Sequence, residues 1–169
     1  MTTQTRERTY ETDLLVVPFP HPQGCRSYLA ADVGAKRALA LDPHLDLVGE
    51  LEARVRREGW TLDFVLDTHT HADHPSGSAE LARRLASERL AHELAHHRGV
   101  ARHPRDGEEL ALGRLKARVL HAPGHTPDHL VLELGGVLFS GDTLLIGGVA
   151  RTDFLGGDAG QLFDTLQRL

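Results

Sequence analysis

The sequence predicts an α+β fold in which β-sheets form the inner layers and helices lie outside them. Three observations carry this. Apolar runs of strand length alternate with segments whose apolar residues recur at helical spacing. A Gly135-Gly136 pair between two apolar runs marks a tight hairpin. No repeat, low-complexity tract or linker interrupts the 169 residues, a length that suits one domain with a real core and not two. A single domain over 1–169 is expected.

Residues 1–12 are expected to form a frayed start or an edge strand. Leu14–Val17 and Ser27–Ala31 read as short strands, divided by the turn-forming run from Pro18 to Gly24. Ala38–Leu41 is another strand, stopped by Asp42-Pro43. From Asp46, Leu47, Val48, Leu51 and Val55 recur at helical spacing up to about Gly59. Phe64–Leu66 is an apolar strand that runs into Thr68–His74. The next helix takes Ser76 or Ser78 as its cap and turns Leu81, Ala82, Leu85 and Ala86 inward. Residues 88–97 fit either a helix or a short strand through Leu90. Leu115, Ala117 and Val119 alternate with Lys116 and Arg118, a half-buried strand. Val131–Leu134 and Val137–Phe139 flank the Gly-Gly hairpin. Asp158 caps a last helix whose stripe of Leu162, Phe163, Leu166 and Leu169 needs a partner surface.

The formal net charge of −5 comes from mixed signs, which argues against a nucleic-acid partner, since that requires a basic excess or stripe. No stretch is long and apolar enough to span a bilayer, so no membrane partner is expected. The polar start, Met1 to Arg8, has no signal-peptide core behind it. The single cysteine, Cys25, excludes an internal disulfide and suits a reducing compartment. A cytoplasmic protein is expected, with Cys25 a small buried residue rather than a nucleophile.

Twelve histidines are the compositional departure, and histidine is the commonest metal ligand. In His69-Thr-His71-Ala-Asp73-His74, histidines at i and i+2 on extended backbone project to one side. Asp73 and His74 converge from the turn that follows. Such a donor set suits zinc, iron or manganese. In His121-Ala-Pro-Gly-His125-Thr-Pro-Asp-His129, Pro123-Gly124 forces a sharp turn that presents His125. His121 and His129 suit a supporting role, because a ligating imidazole needs an outer hydrogen-bond partner. Asp142, in Ser140-Gly-Asp-Thr143, supplies a carboxylate that bridges two metals or completes the coordination of one. His92, His96, His97 and His103 lie in a charged stretch and are expected to be solvated.

In this order, Thr68-His-Thr-His-Ala-Asp-His74, Pro123-Gly-His-Thr126 and Ser140-Gly-Asp-Thr143 resemble the metallo-β-lactamase superfamily, from about Cys25 to the C-terminus. The resemblance implies an αββα sandwich with its site at the edge between two sheets. It implies that His69, His71 and His125 bind one metal, that Asp73 and His74 serve a second, and that Asp142 lies between them. Superfamily members continue past the final helix with further strands, a helix and one more histidine for the second metal. The chain is therefore expected to be C-terminally short, either naturally or as a fragment. That would cost a two-zinc site a ligand.

Arg151-Thr-Asp-Phe154 followed by Gly156-Gly-Asp158 looks like the persulfide dioxygenases, relatives of the glyoxalase II thiolester hydrolases. Cys25-Arg-Ser-Tyr-Leu29 and Ala40-Leu-Asp-Pro43 look like the same branch. This resemblance implies a single Fe(II) held by His69, His125 and Asp142 as the catalytic set, with His71, Asp73 and His74 around it. The implied partners are molecular oxygen and a small-molecule thiol persulfide, glutathione persulfide by likeness, with sulfite as product. Arg151 would either line the glutathione pocket or pair with Asp153. The alternatives are a thiolester hydrolase with one or two Zn ions, and a metal-binding fragment without turnover. The resemblance also allows a homodimer.

Overall fold

The computed structural model describes residues 7–9 and 13–169. Strands β1 (Arg8–Thr9), β2 (Leu14–Pro20), β3 (Arg26–Asp32), β4 (Arg37–Leu41), β5 (Thr61–Leu66) and β6 (Glu88–Leu90) form one sheet in that order. Strands β7 (Glu109–Leu112), β8 (Leu115–His121), β9 (Leu130–Leu134) and β10 (Val137–Phe139) form a second, ordered β10-β9-β8-β7. A two-stranded ribbon pairs β11 (Leu144–Leu145) with β12 (Gly148–Val149). The helices are α1 (Val48–Glu58), α2 (Ser78–Leu85) and α3 (Ala159–Arg168). The first sheet is antiparallel from β1 to β4 and parallel from β4 to β6. A parallel pair needs a crossover, and α1 and α2 supply the two crossovers.

Period-two patterning sends alternate residues of the first sheet into two different cores. Leu14, Val16, Ala30, Leu39, Leu41 and Leu66 face the second sheet and meet Leu110, Leu112, Val119, Leu130 and Leu132. Their strand neighbours Val17, Leu29, Ala31, Ala38 and Ala40 face the other way, against Val48, Leu51 and Val55 of α1 and Leu81 and Ala82 of α2. The sheets therefore pack face to face under an outer helical layer, the α+β arrangement expected. Helix α3 instead docks at the end of β8, where Leu162 is buried and Thr165 Oγ1 donates to the Pro123 carbonyl at 2.7 Å.

The boundaries depart from the sequence reading in instructive places. Of the expected edge strand, Arg8–Thr9 pairs with Val16 and Leu15; residues 1–6 and 10–12 lie outside the described residues. Strand β2 runs through Pro18 and Pro20, where a turn was expected; among the described residues β1 reaches only to Val16 and leaves that stretch as a sheet edge. A proline loses nothing there. Neither serine caps α2. Gly77 holds the N-cap, where a Cβ would come within 2.5 Å of Val48 Cγ2, and Ser76 Oγ accepts from the Ser78 amide just outside. The ambiguous stretch 88–97 resolves into β6 and a 3₁₀ turn at Glu93–Ala95. Asp158 does cap α3, accepting from the Gln161 amide at 2.9 Å. Of the expected stripe on that helix, Leu162 is buried and Leu166 half-buried while Phe163 and Leu169 stay exposed; among the described residues the helix is held by the Pro123–Gly124 loop and, through Arg168, by the His121 carbonyl and Asp106.

Candidate metal centre

Strand β4 stops at Asp42, a non-glycine residue in the left-handed region at φ 47°. That turn aims its carboxylate at the loop following β5. The Thr68 amide donates to it at 2.6 Å, Thr68 Oγ1 at 2.8 Å and His71 Nε2 at 3.1 Å. Burial pushes the Asp42 carboxyl up, but the charge and hydrogen bond of His71 hold it well below the usual carboxylate range. For His71 burial acts downward, and the same pairing overrides it, raising the imidazole to about 9.

Thr68 passes this anchoring on. Because its hydroxyl donates to Asp42, its oxygen accepts from His69 Nδ1 at 2.9 Å, which leaves His69 Nε2 with a free lone pair. Burial, followed by the neighbouring His71 charge, pushes His69 down and keeps it neutral. His125 is set by the same logic from the β8–β9 loop. Its Nδ1 donates to the Arg151 carbonyl at 2.7 Å, so its Nε2 is free as well.

Asp142 follows β10. Its amide donates to His129 Nε2 at 3.1 Å, and the other nitrogen of that ring lies 3.2 Å from Thr143 Oγ1. His129 is fully buried and stacks on His69 with ring centroids 4.8 Å apart. Burial, more than any neighbouring group, pushes its imidazole down to about 3. One Asp142 oxygen lies 4.0 Å from His69 Nε2 and 3.7 Å from His125 Nε2. These gaps are too long for hydrogen bonds. They are close to what one cation requires, since ligands about 2.1 Å from a common ion sit roughly 3–3.5 Å apart. Two imidazoles with free Nε2 atoms and the Asp142 side-chain oxygen thus fit a divalent ion by donor type as well as by geometry.

The remaining expected donors fall into other groups. His69, His125 and Asp142 offer donor atoms within 4.8 Å of one another; Asp42, Asp67 and His71 form a second such set, and Cys25, Asp73 and His74 a third. His74 Nδ1 donates to Asp73 at 3.0 Å, and Cys25 Sγ lies 3.3 Å from the other Asp73 oxygen. Cys25 is therefore not a buried strand residue: it is partly exposed on the wall of a cavity of about 620 Å³ that also touches Asp142, His71 and His74. Burial, then the Asp73 hydrogen bond, pushes its thiol up to about 11.

The Arg151 side chain does not line this cavity. Its guanidinium grips Asp153 at 2.6 and 2.7 Å and lies over the Phe154 ring. What Arg151 gives the centre is its backbone carbonyl. His121 is held by the Pro127 carbonyl at 2.8 Å and stacks on His92 at 4.3 Å. Against expectation, His92 and His97 are half-buried, while His96 and His103 are exposed; His97 Nδ1 lies 3.7 Å from the buried Asp67.

Two supporting carboxylates went unread in the sequence. In the sequence Asp42 reads as a strand stop and as part of the Ala40–Pro43 resemblance, and Asp128 as one unremarkable residue of the second histidine motif. Asp128 accepts from the Thr70 amide at 2.8 Å and from Thr70 Oγ1 at 2.6 Å, tying the first histidine loop to the His125 loop. The Asp immediately before the second-motif His129 was the available signal, once Thr70 is seen as its complement.

Loops from both sheets thus bring three donors for one cation to the open edge of a layered α+β sandwich, which defines a metal-site protein of the β-sandwich type. Residues 22–169 match the Metallo-beta-lactamase superfamily, and the chain belongs to that superfamily. A hydroxyacylglutathione hydrolase of Methylococcus capsulatus is 36% identical over 146 residues, covering 84% of this chain and 56% of the relative. A mitochondrial persulfide dioxygenase ETHE1 of Bos taurus is 32% identical over 148 residues, covering 86% and 58%. The chain spans about half the length of these curated relatives. Among solved structures, ETHE1 from Myxococcus xanthus matches with a TM-score of 0.85 and 34% identity, over 91% of this chain and 68% of that one. No helix among the described residues is long and apolar enough to cross a membrane.

Proposed function

We propose that this chain carries the metal centre of an iron-dependent persulfide dioxygenase. The reaction converts glutathione persulfide, or a similar low-molecular-weight persulfide, with oxygen and water into the thiol, sulfite and two protons. The observation that supports this most is the division of donors. His69 and His125 turn free Nε2 atoms toward one Asp142 oxygen, while His71 is engaged with Asp42, and Asp73 with Cys25 and His74. A two-histidine, one-carboxylate set leaves coordination positions open, the pattern suited to non-haem Fe(II) oxygen chemistry. A ferrous ion held there would supply the redox chemistry between oxygen and the persulfide sulfur.

The chain's own residues do the positioning. Thr68 and the Arg151 carbonyl fix the orientations of His69 and His125, and His129 holds the Asp142 backbone. The cavity beside them admits the substrate. Further support comes from the Arg151–Phe154 segment, which closes on the centre: the Phe154 ring lies edge-on to His125 at 5.5 Å.

A second reading, a zinc thiolester hydrolase, is favoured by two observations. Asp73 and His74 border the same cavity, and the hydroxyacylglutathione hydrolases match at similar identity. The experiment is oxygen uptake by anaerobically iron-loaded protein given glutathione persulfide, with a thiolester and zinc-loaded protein in parallel. Uptake with sulfite formation, lost in His125→Ala and Asp142→Ala, is the expected result. Thiolester cleavage without uptake would replace the first reading by the second. Silence in both from a metal-loaded sample would leave a metal-binding fragment without turnover.

A further inference from the structure

The cavity beside the metal centre is asymmetric in charge. Its acids, Asp42, Asp73 and Asp142, all stand at the metal loops, and each already has a partner or a metal to meet. Among the described residues its arginines are Arg8 of β1 and Arg26 of β3. Arg26 opens β3 two residues before Tyr28, so both side chains project from the same face of the sheet, and both line the cavity.

Arg26 is half-buried, yet it makes no ion pair and no side-chain hydrogen bond among the described residues. Other arginines are held: Arg37 by Asp63, Arg114 by Asp32, Arg89 by Asp67 and Arg151 by Asp153. Partial burial of an unpaired guanidinium is unfavourable unless an anion meets it. Its planar fork matches a carboxylate through two parallel hydrogen bonds. With Arg151 committed to Asp153 and Arg8 exposed, Arg26 is the half-buried cation that the cavity offers to a ligand's negative group.

We infer that Arg26, with Arg8 as a second cation, anchors the carboxylate tail of a sulfur-bearing substrate whose reactive end meets the His69, His125 and Asp142 centre. This rests on the reading that the cavity takes a small thiol-derived substrate, and it holds for a persulfide or a thiolester alike. The ligand class is a peptide-like thiol derivative with a free carboxylate. A neutral thiol derivative of similar length would lack the anchor.

The test separates binding from turnover. Zinc-loaded protein is titrated calorimetrically with S-methylglutathione, which carries the carboxylates but no reactive sulfur group, and with neutral N-acetyl-S-methylcysteamine. Arg26→Gln should weaken S-methylglutathione binding by about 10- to 100-fold, the size of a charge-assisted hydrogen-bonded contact. Arg26→Lys should fall between, and Arg118→Gln, at an exposed position on β8, should match wild type. The neutral compound should bind equally weakly to all of them. Wild-type binding should also weaken as salt is raised, a readout that needs no variant.

Wild-type affinity in Arg26→Gln, salt-independent binding, or no binding of S-methylglutathione to the wild-type protein would each overturn the anchor. The two inferences fail separately. Oxygen uptake with a KM indifferent to Arg26 removes the anchor and leaves the dioxygenase, whereas Arg26-dependent binding without oxygen uptake does the reverse.

Discussion

Replacing Gly124 by alanine places a methyl group where α3 meets the loop that carries His125. Gly124 has φ 137°, and a Cβ there would lie 2.4 Å from Leu162 Cα, 2.5 Å from its amide nitrogen and 2.6 Å from its Cβ. Because these are mostly backbone atoms, no rotamer change relieves the contact. Overpacking of this kind costs about 1–3 kcal/mol, and an L-residue held at positive φ adds roughly 1–2 kcal/mol. The alternative is to undock α3. That would expose Leu162, at about 1.5–3 kcal/mol, and break the bonds from the Asp158 amide to the Gly124 carbonyl and from Thr165 to Pro123, at about 1 kcal/mol each. The two routes cost similar amounts, but the backbone strain persists after undocking, so the loop is the part that must move. The expected result is a melting temperature lower by about 5–15 °C, together with metal affinity reduced about tenfold as His125 is displaced. Leu162→Ala should cost a comparable 2–4 kcal/mol through its cavity while leaving metal affinity within about twofold, since it leaves the loop backbone intact. Scanning calorimetry and competitive metal titration of both variants decide the matter. If Gly124→Ala keeps wild-type metal affinity, the coupling of α3 to His125 through this loop is refuted.

Other consequences can be measured on the same preparation. Thr70→Val removes the hydroxyl bond to Asp128 that ties the two histidine loops, and should lower metal affinity about tenfold with a small change in melting temperature. Arg89→Met strips the guanidinium from the buried Asp67, leaving the Ser76 and Ser78 hydroxyls as its hydrogen-bond donors; urea unfolding should register a loss of about 3 kcal/mol. Arg114 joins the β7–β8 turn to Asp32 at the end of β3, and its hydrogen bonds outweigh burial to hold that carboxyl down at about 2. A carboxyl depressed in the folded state contributes stability above its ordinary pKa and loses it as pH falls through the depressed one. Arg114→Ala should therefore melt below wild type at pH 5–6, with the gap closing from about pH 4 toward pH 2. A gap that widens in acid would contradict the pairing.

What could be read from the sequence divides along physical lines. Long periodic stretches were legible: the α1 stripe of Val48, Leu51 and Val55 is buried as spaced, and the Leu115, Ala117 and Val119 alternation holds in β8. Strand β7 was not, because Glu109–Leu112 offers only two inward positions and its pairing depends on the Gly113-Arg114 turn. The β11–β12 ribbon has both strands exposed, so no burial period marks it. Among site residues, the histidine motifs declared their donors by type and spacing. How those donors sort into groups could not be read from spacing and was implied by the family resemblance alone, because it depends on Asp42 and Asp128, which lie 26 residues or more from the groups they hold. The Arg151 contribution was hidden for another reason: it comes from a carbonyl, which any residue possesses.

The account turns on one cation held by His69, His125 and Asp142, and metal content per folded chain tests this most directly. Protein saturated with ferrous iron or zinc and then freed of excess metal should retain one ion per chain. His125→Ala and Asp142→Ala should retain almost none, while Asp73→Ala and His74→Ala should still retain one. Two ions in the wild-type chain, or loss of the only ion on replacing Asp73 or His74, would contradict the three-donor centre and restore the shared two-metal arrangement.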